Sequence, residues 1–522
     1  MLEDLLAQLR QTQHELGDAD PSGIAATFEL SWKSLSDEAK TLGWLLSLFG
    51  PAPIPRSLLN RILAANEDDP PLIEDLDTAL DALVNRFLLQ VTRPNTYALH
   101  DLMRDSLRHK LEEMNDGDEL KRLYCRGIAE VASEMPYGPI LAQIEAFIPL
   151  VPHIVEAATT LTDWLADDDL FWPSNGLGRF YAGQSAFEQA ETWYKKSLNS
   201  CRQRFGEENP DIATSFNNLA CVNTYQGNYS EAELLHLKAL ELRQRLLGEE
   251  HTDVAQSLNN LAKLYEIQGL YDAAESLYNQ SLQLRRQLLG EEHPYVAQSL
   301  NNLAVLYTTL GRYEESEFLH LEALKLRRGA LSDDHPDIAA SLHNLAVIYT
   351  YQGRFSEAEY YHQQSLELWK RLLGDEHPDA ALSLNNLAGL YYELGRYSEA
   401  ESLYQQALDL QRRLLGEEHP DVARSLNNLA ALYKSQGRYS EAEPLYQQAL
   451  ELRRRLLGEE HPDVAQSLNN LGMSYADQGL YQQAEPLLEQ ALELRLRLLG
   501  PEHPYTQTTQ RSLEYVRNAM NS

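Results

Sequence analysis

Apolar positions along the last two-thirds of the chain carry a helical period nested inside a longer one. After His419, Leu426, Leu429, Ala430 and Tyr433 fall at i, i+3, i+4 and i+7, the stripe of an amphipathic helix. Pro420 suits the first helical turn and keeps the residue before it out of the α region, so a helix is expected to begin there. Gly437 is expected to end it. A second stripe follows at Ala442, Tyr446, Ala449 and Leu450. Ser440 with Glu443 three residues on reads as a capping box at its start. Arg453, Arg454 and Arg455 complement the dipole near its end, and Gly458 is the stop signal. The predicted unit is helix–turn–helix, closed by a loop of the type GEEHPD.

The unit recurs every 42 residues. SLNNLA stands at 257–262, 299–304, 383–388 and 425–430, with SFNNLA at 215–220, SLHNLA at 341–346 and SLNNLG at 467–472. Anchored on its Leu, the period runs from Leu177 to Leu471 and yields eight units over 170–502, the first degenerate, with Ser185 where Gly is expected. Residues 503–522 hold a lone first helix, in which Arg511 and Ser512 replace the Asn pair, and read as the polar cap that a solenoid needs.

The run Leu429, Ala430, Tyr433, Gly437, Tyr439, Ala442, Tyr446 and Ala449 resembles the tetratricopeptide repeat, normally 34 residues long. The eight additional residues lengthen the second helix and the loop, and this form is similar to the repeats of kinesin light chains. The resemblance implies a mostly α fold, a right-handed superhelix whose first helices line a concave surface, and a role as a protein–protein interaction scaffold.

Residues 1–113 differ. The stretch IAATFELSWKSLSDEAKTLGWLLSLFGPAPIPRSLL reads as two helices, with Ser36 capping one and Pro55 opening the next. A third is expected over about 72–85, from Leu72, Leu76, Leu80 and Leu83, then two short strands around Pro94-Asn95 and another helix. Together these suggest a winged helix. Phe28-Glu29-Leu30-Ser31-Trp32 and Leu99-His100-Asp101 resemble the corresponding domain of NB-ARC/STAND signalling ATPases, the latter its MHD motif. In that family the motif His helps hold ADP, which assigns a cofactor contact to His100 alone, against the plainer reading of a surface residue. No G-x-x-x-x-G-K-[ST] phosphate loop occurs in the sequence. Two readings follow: the sensor or adaptor arm of a STAND-type protein, or the C-terminal part of a STAND NTPase whose nucleotide-binding domain is missing from this chain. An oligomer could form through such a domain. Residues 114–169 read as a helical linker.

The Asn pair poses the functional question, since Asn competes for backbone hydrogen bonds and is a mediocre helix former. With Leu261 at 0° and ~100° per residue, the buried stripe centres near 50°, Asn260 falls at about 260° and Asn259 at about 160°. The second Asn therefore faces away from its own repeat's core. The resemblance places Asn218, Asn260, Asn302, Asn344, Asn386, Asn428 and Asn470 as a ladder inside the groove. An amide offers a donor and an acceptor, so it can pair with a peptide backbone of any sequence. Around it the residues vary, among them Gln298, Val305, Val347, Tyr351 and Arg424, and these would set specificity; Gly389, Ala431 and Val347 leave apolar space. The competing reading is that the amides bond to one another or to adjacent helices.

Composition narrows the partners. Lys and Arg number 44 against 78 Asp and Glu, a net charge of −34. So acidic a surface repels phosphate backbones and anionic lipid, which argues against nucleic acid and membranes. Cys125, Cys201 and Cys221 build no disulfide framework, and the residues after Met1 form no signal peptide, so a cytoplasmic location is expected. Seven His recur at the repeat period, from His251 to His503, one per loop. They stand a helix diameter apart, on the order of 10 Å, where metal bonds need ~2 Å, so they are expected at helix starts and no metal is assigned. His236, His320 and His362 occupy a slot that is Tyr in other copies and are expected in the core. No nucleophile–base constellation appears, and neither catalysis nor a cofactor is assigned beyond His100.

Overall fold

The computed structural model describes residue 28 and residues 31–521, apart from 66–71, 115–116, 138, 140, 332 and 374–377. Glu29, Leu30 and His377 therefore lie outside the described residues. The chain divides into two compact units, Met1–Phe180 and Tyr181–Ser522.

In the first unit, Ser36 starts α1 (Asp37–Ser47), its Oγ accepting from the Ala39 N–H. Helix α2 (Arg56–Ala64) begins directly after Pro55. Helix α3 (Leu76–Asn85) starts later than the apolar pattern suggests, because the Asp75 carboxylate caps it by accepting from the Thr78 N–H at 3.0 Å. Strands β2 (Gln90–Arg93) and β3 (Thr96–Ala98) form the hairpin, and α4 (Asp101–Glu112) follows. A further strand, β1 (Ile54–Pro55), pairs with β3, so the sheet has the order β1-β3-β2. Two residues, one a proline, leave no periodic trace of it in the sequence.

The stretch 114–169 is not a free linker. Helix α5 (Gly117–Ser133) buries Leu120, Leu123, Tyr124, Ile128 and Val131. Tyr124 sets its ring edge-on to Phe49 and donates its hydroxyl to the His153 carbonyl at 2.9 Å. A Cβ on Gly127 would lie 2.8 Å from the Ile62 Cα, so α5 and α2 touch backbone to backbone. The apolar stripe that made this stretch helical is covered by the residues before it, which is why it belongs to their core.

In the second unit the helix pairs recur as the 42-residue period demands. First helices run from Pro210–Tyr225 and Thr252–Ile267 to Pro462–Asp477, and second helices from Tyr229–Leu247 to Tyr481–Leu499; Pro504–Asn521 closes the series. The pair before them, Trp172–Gly183 and Phe187–Phe205, straddles the division between the units. The loop histidines cap first helices: the Nδ1 of His251, His293, His335, His419, His461 and His503 accepts from the backbone N–H two residues on. The Ser440–Glu443 capping box does not form. The second helix starts at Tyr439 with Arg438 at its N-cap and no side-chain cap. Gly437, at φ +73°, makes the turn just past the first helix, which ends at Ser435.

Neighbouring repeats are stapled by buried arginines of the second helices. Arg285, 1% exposed, donates to the Tyr295 carbonyl at 3.0 Å, Ser299 Oγ at 2.8 Å and Gln256 Oε1 at 2.6 Å. Arg243, Arg327, Arg453 and Arg495 reach the equivalent carbonyl and hydroxyl of the next first helix. At 369 and 411 the slot holds Trp and Gln; Gln411 accepts the Ser425 hydroxyl at 2.6 Å instead.

Candidate functional site

From Thr252–Ile267 onward the backbones of successive first helices approach more closely than those of successive second helices, which long side chains such as Arg286 and Glu322 bridge at 2.8 Å. The array therefore bends towards its first helices, and their outward faces line the inside of the curve.

The Asn residues meet there as rungs. The Nδ2 of Asn260 donates to Asn217 Oδ1 at 2.6 Å, Asn302 to Asn259 at 2.9 Å, Asn344 to Asn301 at 2.8 Å and Asn470 to Asn427 at 2.9 Å. Each rung joins the second Asn of one repeat to the first Asn of the repeat before, so one of the two roles weighed for the pair, bonding between helices, is realised. At Asn386 the partner is the His343 Nε2 at 3.2 Å, because His replaces the first Asn in that copy.

What each rung leaves over differs along the array. Asn260 and Asn470 also accept from Gln256 and Gln466 at 2.7 Å, and these glutamines accept in turn from the buried Arg285 and Arg495. In the middle repeats that position holds Gln298, Ala340, Leu382 and Arg424. Gln298 accepts from Arg285, and Arg424 turns to Asp421 at 2.9 Å. Among the described residues, the Oδ1 atoms of Asn302, Asn344, Asn386 and Asn428 accept nothing. Val305 and Val347 stand beside them half-buried, and Tyr351 is 61% exposed, stacked parallel on Tyr313 at 5.6 Å. Asn218 is buried. In the first unit, His100 is exposed at the N-cap of α4, its Nδ1 accepting from the Leu102 N–H.

A second lattice runs along the turns and was invisible as such in the sequence. Glu401 accepts the Tyr433 hydroxyl of the next repeat at 3.0 Å and the Arg438 guanidinium at 2.8 Å; Arg438 also binds Glu441 and lies 4.0 Å over the Tyr433 ring. Glu275, Glu317 and Glu359 gather Arg312, Arg354 and Arg396 in the same way, and Glu443 takes the Tyr475 hydroxyl. The recurring GR[YF]-x-E-x-E of these copies is its signal. The Arg438 guanidinium holds the Glu401 carboxyl below the usual carboxylate range. Glu401→Ala should therefore cost about 1–3 kcal/mol by stranding the Tyr433 hydroxyl and Arg438, read as a lowered urea midpoint; Glu401→Gln should recover part of it.

The histidines His236, His320 and His362 are buried, and burial pushes them down to about 4, 3 and 3. Burial pushes the thiols of Cys125 and Cys201 up to about 12 and that of Cys221 up to about 11, so all three stay protonated at neutral pH. Among the described residues no group of three His, Cys, Asp or Glu is placed to hold a metal ion, and no helix is long and apolar enough to cross a membrane.

Comparison with known families matches the one described as Tetratricopeptide repeat in overlapping windows from 169–245 to 463–521. No curated protein matches. Among solved structures, BtubC (BKLC) from P. vanneervenii is 28% identical over 44% of this chain and 92% of its own, with a TM-score of 0.37. Podosopora anserina putative kinesin light chain nearly identical TPR-like repeats are 31% identical over 40% of this chain and 98% of theirs, at 0.33. A signal transduction ATPase with numerous domains (STAND) protein with a tetratricopeptide repeat sensor, from Pyrococcus horikoshii, is 16% identical over 94% of this chain, at 0.53. This chain spans 66% of that protein's length.

Proposed function

Because the chain belongs to the tetratricopeptide repeat family, we propose that its inner face holds a peptide or protein segment, as an interaction scaffold. The observation that carries this reading is the row of unclaimed amide oxygens on Asn302, Asn344, Asn386 and Asn428. An extended peptide exposes backbone N–H groups along its length, and fixed acceptors at repeat intervals meet them without regard to side chains. Val305, Val347 and Tyr351 supply apolar and aromatic surface for the side chains between, and Gln298 and Arg424 supply polar selectivity. At Asn302, Asn344 and Asn386 the rung also holds the amide plane in place through Nδ2, so the acceptor is oriented before the ligand arrives; at Asn428 no rung forms among the described residues, and Asn385 Oδ1 stays buried without a partner.

The test is a peptide-display selection on the full chain, run beside Val305→Glu/Val347→Glu, which charges the middle of the inner face without touching a rung. Peptides enriched on the parent should lose about tenfold or more in affinity for the variant, about 1.4 kcal/mol, while its helical circular dichroism is unchanged. Equal binding by both would place the ligand elsewhere.

We further read residues 37–112, three helices with a three-stranded sheet and a fourth helix, as a winged helix in the sensor arm of a STAND-type protein. The resemblance at Leu99-His100-Asp101 supports this, and so does the likeness of fold to the Pyrococcus protein. A phosphate-loop motif in frame before Met1 in the gene would make the chain the C-terminal part of a STAND NTPase; a stop codon with its own ribosome site would make it a separate adaptor.

A further inference from the structure

Six loop histidines share one motif and one capping role, yet two of them have a different environment. His461 and His503 are 7% and 6% exposed, whereas His251, His293, His335 and His419 are only half-buried. What covers the two is the chain itself, one superhelical turn earlier. The His461 Nε2 donates to the Tyr225 carbonyl at 2.7 Å, across 236 residues. His503 bonds the Ile267 carbonyl over the same interval. Leu499 packs against the cluster of Tyr229, Leu261 and Leu264. An interval of 236 residues is about 5.6 repeats of 42.

The receiving turns are built for close approach. A Cβ on Gly227 would stand 3.2 Å from the Pro462 Cδ, and one on Gly269 would stand 2.6 Å from the His503 ring. The same glycine of the later turns, Gly311, Gly353, Gly395, Gly437 and Gly479, has nothing within 4 Å. The residue after the glycine differs accordingly: Asn228 and Leu270 in the two covered turns, against Arg312, Arg354, Arg396 and Arg438 in four of the others. A long cation would have to be desolvated where the next turn lands.

Closure limits the space inside. With neighbouring helix axes ~10 Å apart and each helix ~10 Å across, about 5.6 repeats per turn enclose a passage only ~8–9 Å wide. That excludes an α-helical ligand of ~10–12 Å diameter. It admits one extended strand, ~5 Å thick in its hydrogen-bonding direction, whose side chains are small or seat between the lining residues, since a strand measures ~10 Å across its side-chain faces.

We propose that the latched turns at 225–229/461 and 267–271/503 make the inner face a closed channel, whose ligand is a single extended chain with a free end. The proposal rests on the reading of the inner face as a peptide site. It turns the groove from one that grips a helix or an internal loop into one that is threaded.

Two measurements on the full chain test it. In the first, a linear peptide library with free N-termini and a disulfide-cyclised library of the same length are selected side by side. Enrichment about tenfold or more greater from the linear library is expected. Equal enrichment from both leaves the peptide site standing and overturns the closed channel; enrichment from neither overturns both. In the second, Gly269→Arg, which drives a side chain into the His503 ring, is compared with Gly311→Arg, which carries the same positive-φ strain at a turn that touches nothing. Small-angle scattering should show the first expanded and the second like the parent. His503→Ala, which removes the bond without strain, should raise amide exchange at 267–271 even if Gly269→Arg fails to fold. Identical scattering from both glycine variants, with unchanged exchange in His503→Ala, would overturn the latch.

Discussion

Acidification from pH 7 to pH 4 is expected to melt the repeats around 313–391 before the rest of the second unit. Three histidines lie together in that core. His320 and His362 come from successive second helices, and His343 comes from the first helix between them, 5.5 Å from His362 ring to ring. The Nδ1 of each is buried without a hydrogen-bond partner. Burial pushes them down to about 3, 4 and 3 for His320, His343 and His362. The charges that face them oppose protonation as well: Arg327 acts on His320, Arg424 on His343, and His343 on both others.

The sign follows from linkage. Unfolded His titrates near ~6.5, so below that pH the unfolded chain binds protons that the folded core refuses. The stabilisation is whole above about pH 6.5 and is lost as pH falls towards 4, on the order of several kcal/mol for the three together. Other copies supply the remedy. His320 and His362 stand where Tyr278, Tyr404 and Tyr446 stand, and His343 where other copies have Asn. His320→Tyr/His343→Asn/His362→Tyr should move the acid midpoint downward by about a pH unit or more, followed by amide exchange across 313–391. An unmoved midpoint would mean that carboxylate titration elsewhere unfolds the array first.

The second large effect is expected at the arginine staple. Arg453→Ala leaves the Asp463 carbonyl and the Ser467 hydroxyl without the donor they share, and opens a cavity between two repeats. Two buried acceptors left without a donor and the cavity of a large side chain together cost roughly 3–5 kcal/mol. Arg453→Gln should cost less than half as much, because Gln411 fills the same slot and accepts the serine hydroxyl facing it. Urea unfolding should show the alanine variant losing cooperativity as the array divides at that interface, since repeats are held only by their neighbours. Equal losses for Ala and Gln would assign the staple's value to volume alone.

Much of this architecture was legible beforehand, and for a local reason. The period, the helix starts at His-Pro, the turns at Gly437 and its equivalents and the inward stripe at Leu426, Leu429, Ala430 and Tyr433 all depend on contacts within a few residues or on the next helix. The misreadings share the opposite property. Ser440 and Glu443 spell a capping box, but Glu443 has the Tyr475 hydroxyl, 32 residues on, as partner, and Arg438 starts the helix. The stretch 114–169 reads as a helical linker, and its packing against α2 and Phe49 comes from residues far from it in sequence.

The candidate site divides along the same line. That an amide recurs at one angle of every first helix can be read along the chain, because helical periodicity follows from backbone geometry alone. The sequence could not say which atoms that amide would satisfy, since the rung partner is 43 residues away and depends on how one helix crosses the next. Nor could it place His461 against the Tyr225 carbonyl, 236 residues back. Small rotations between repeats sum over a whole turn before that contact can form, and only the packed tertiary structure fixes their sum.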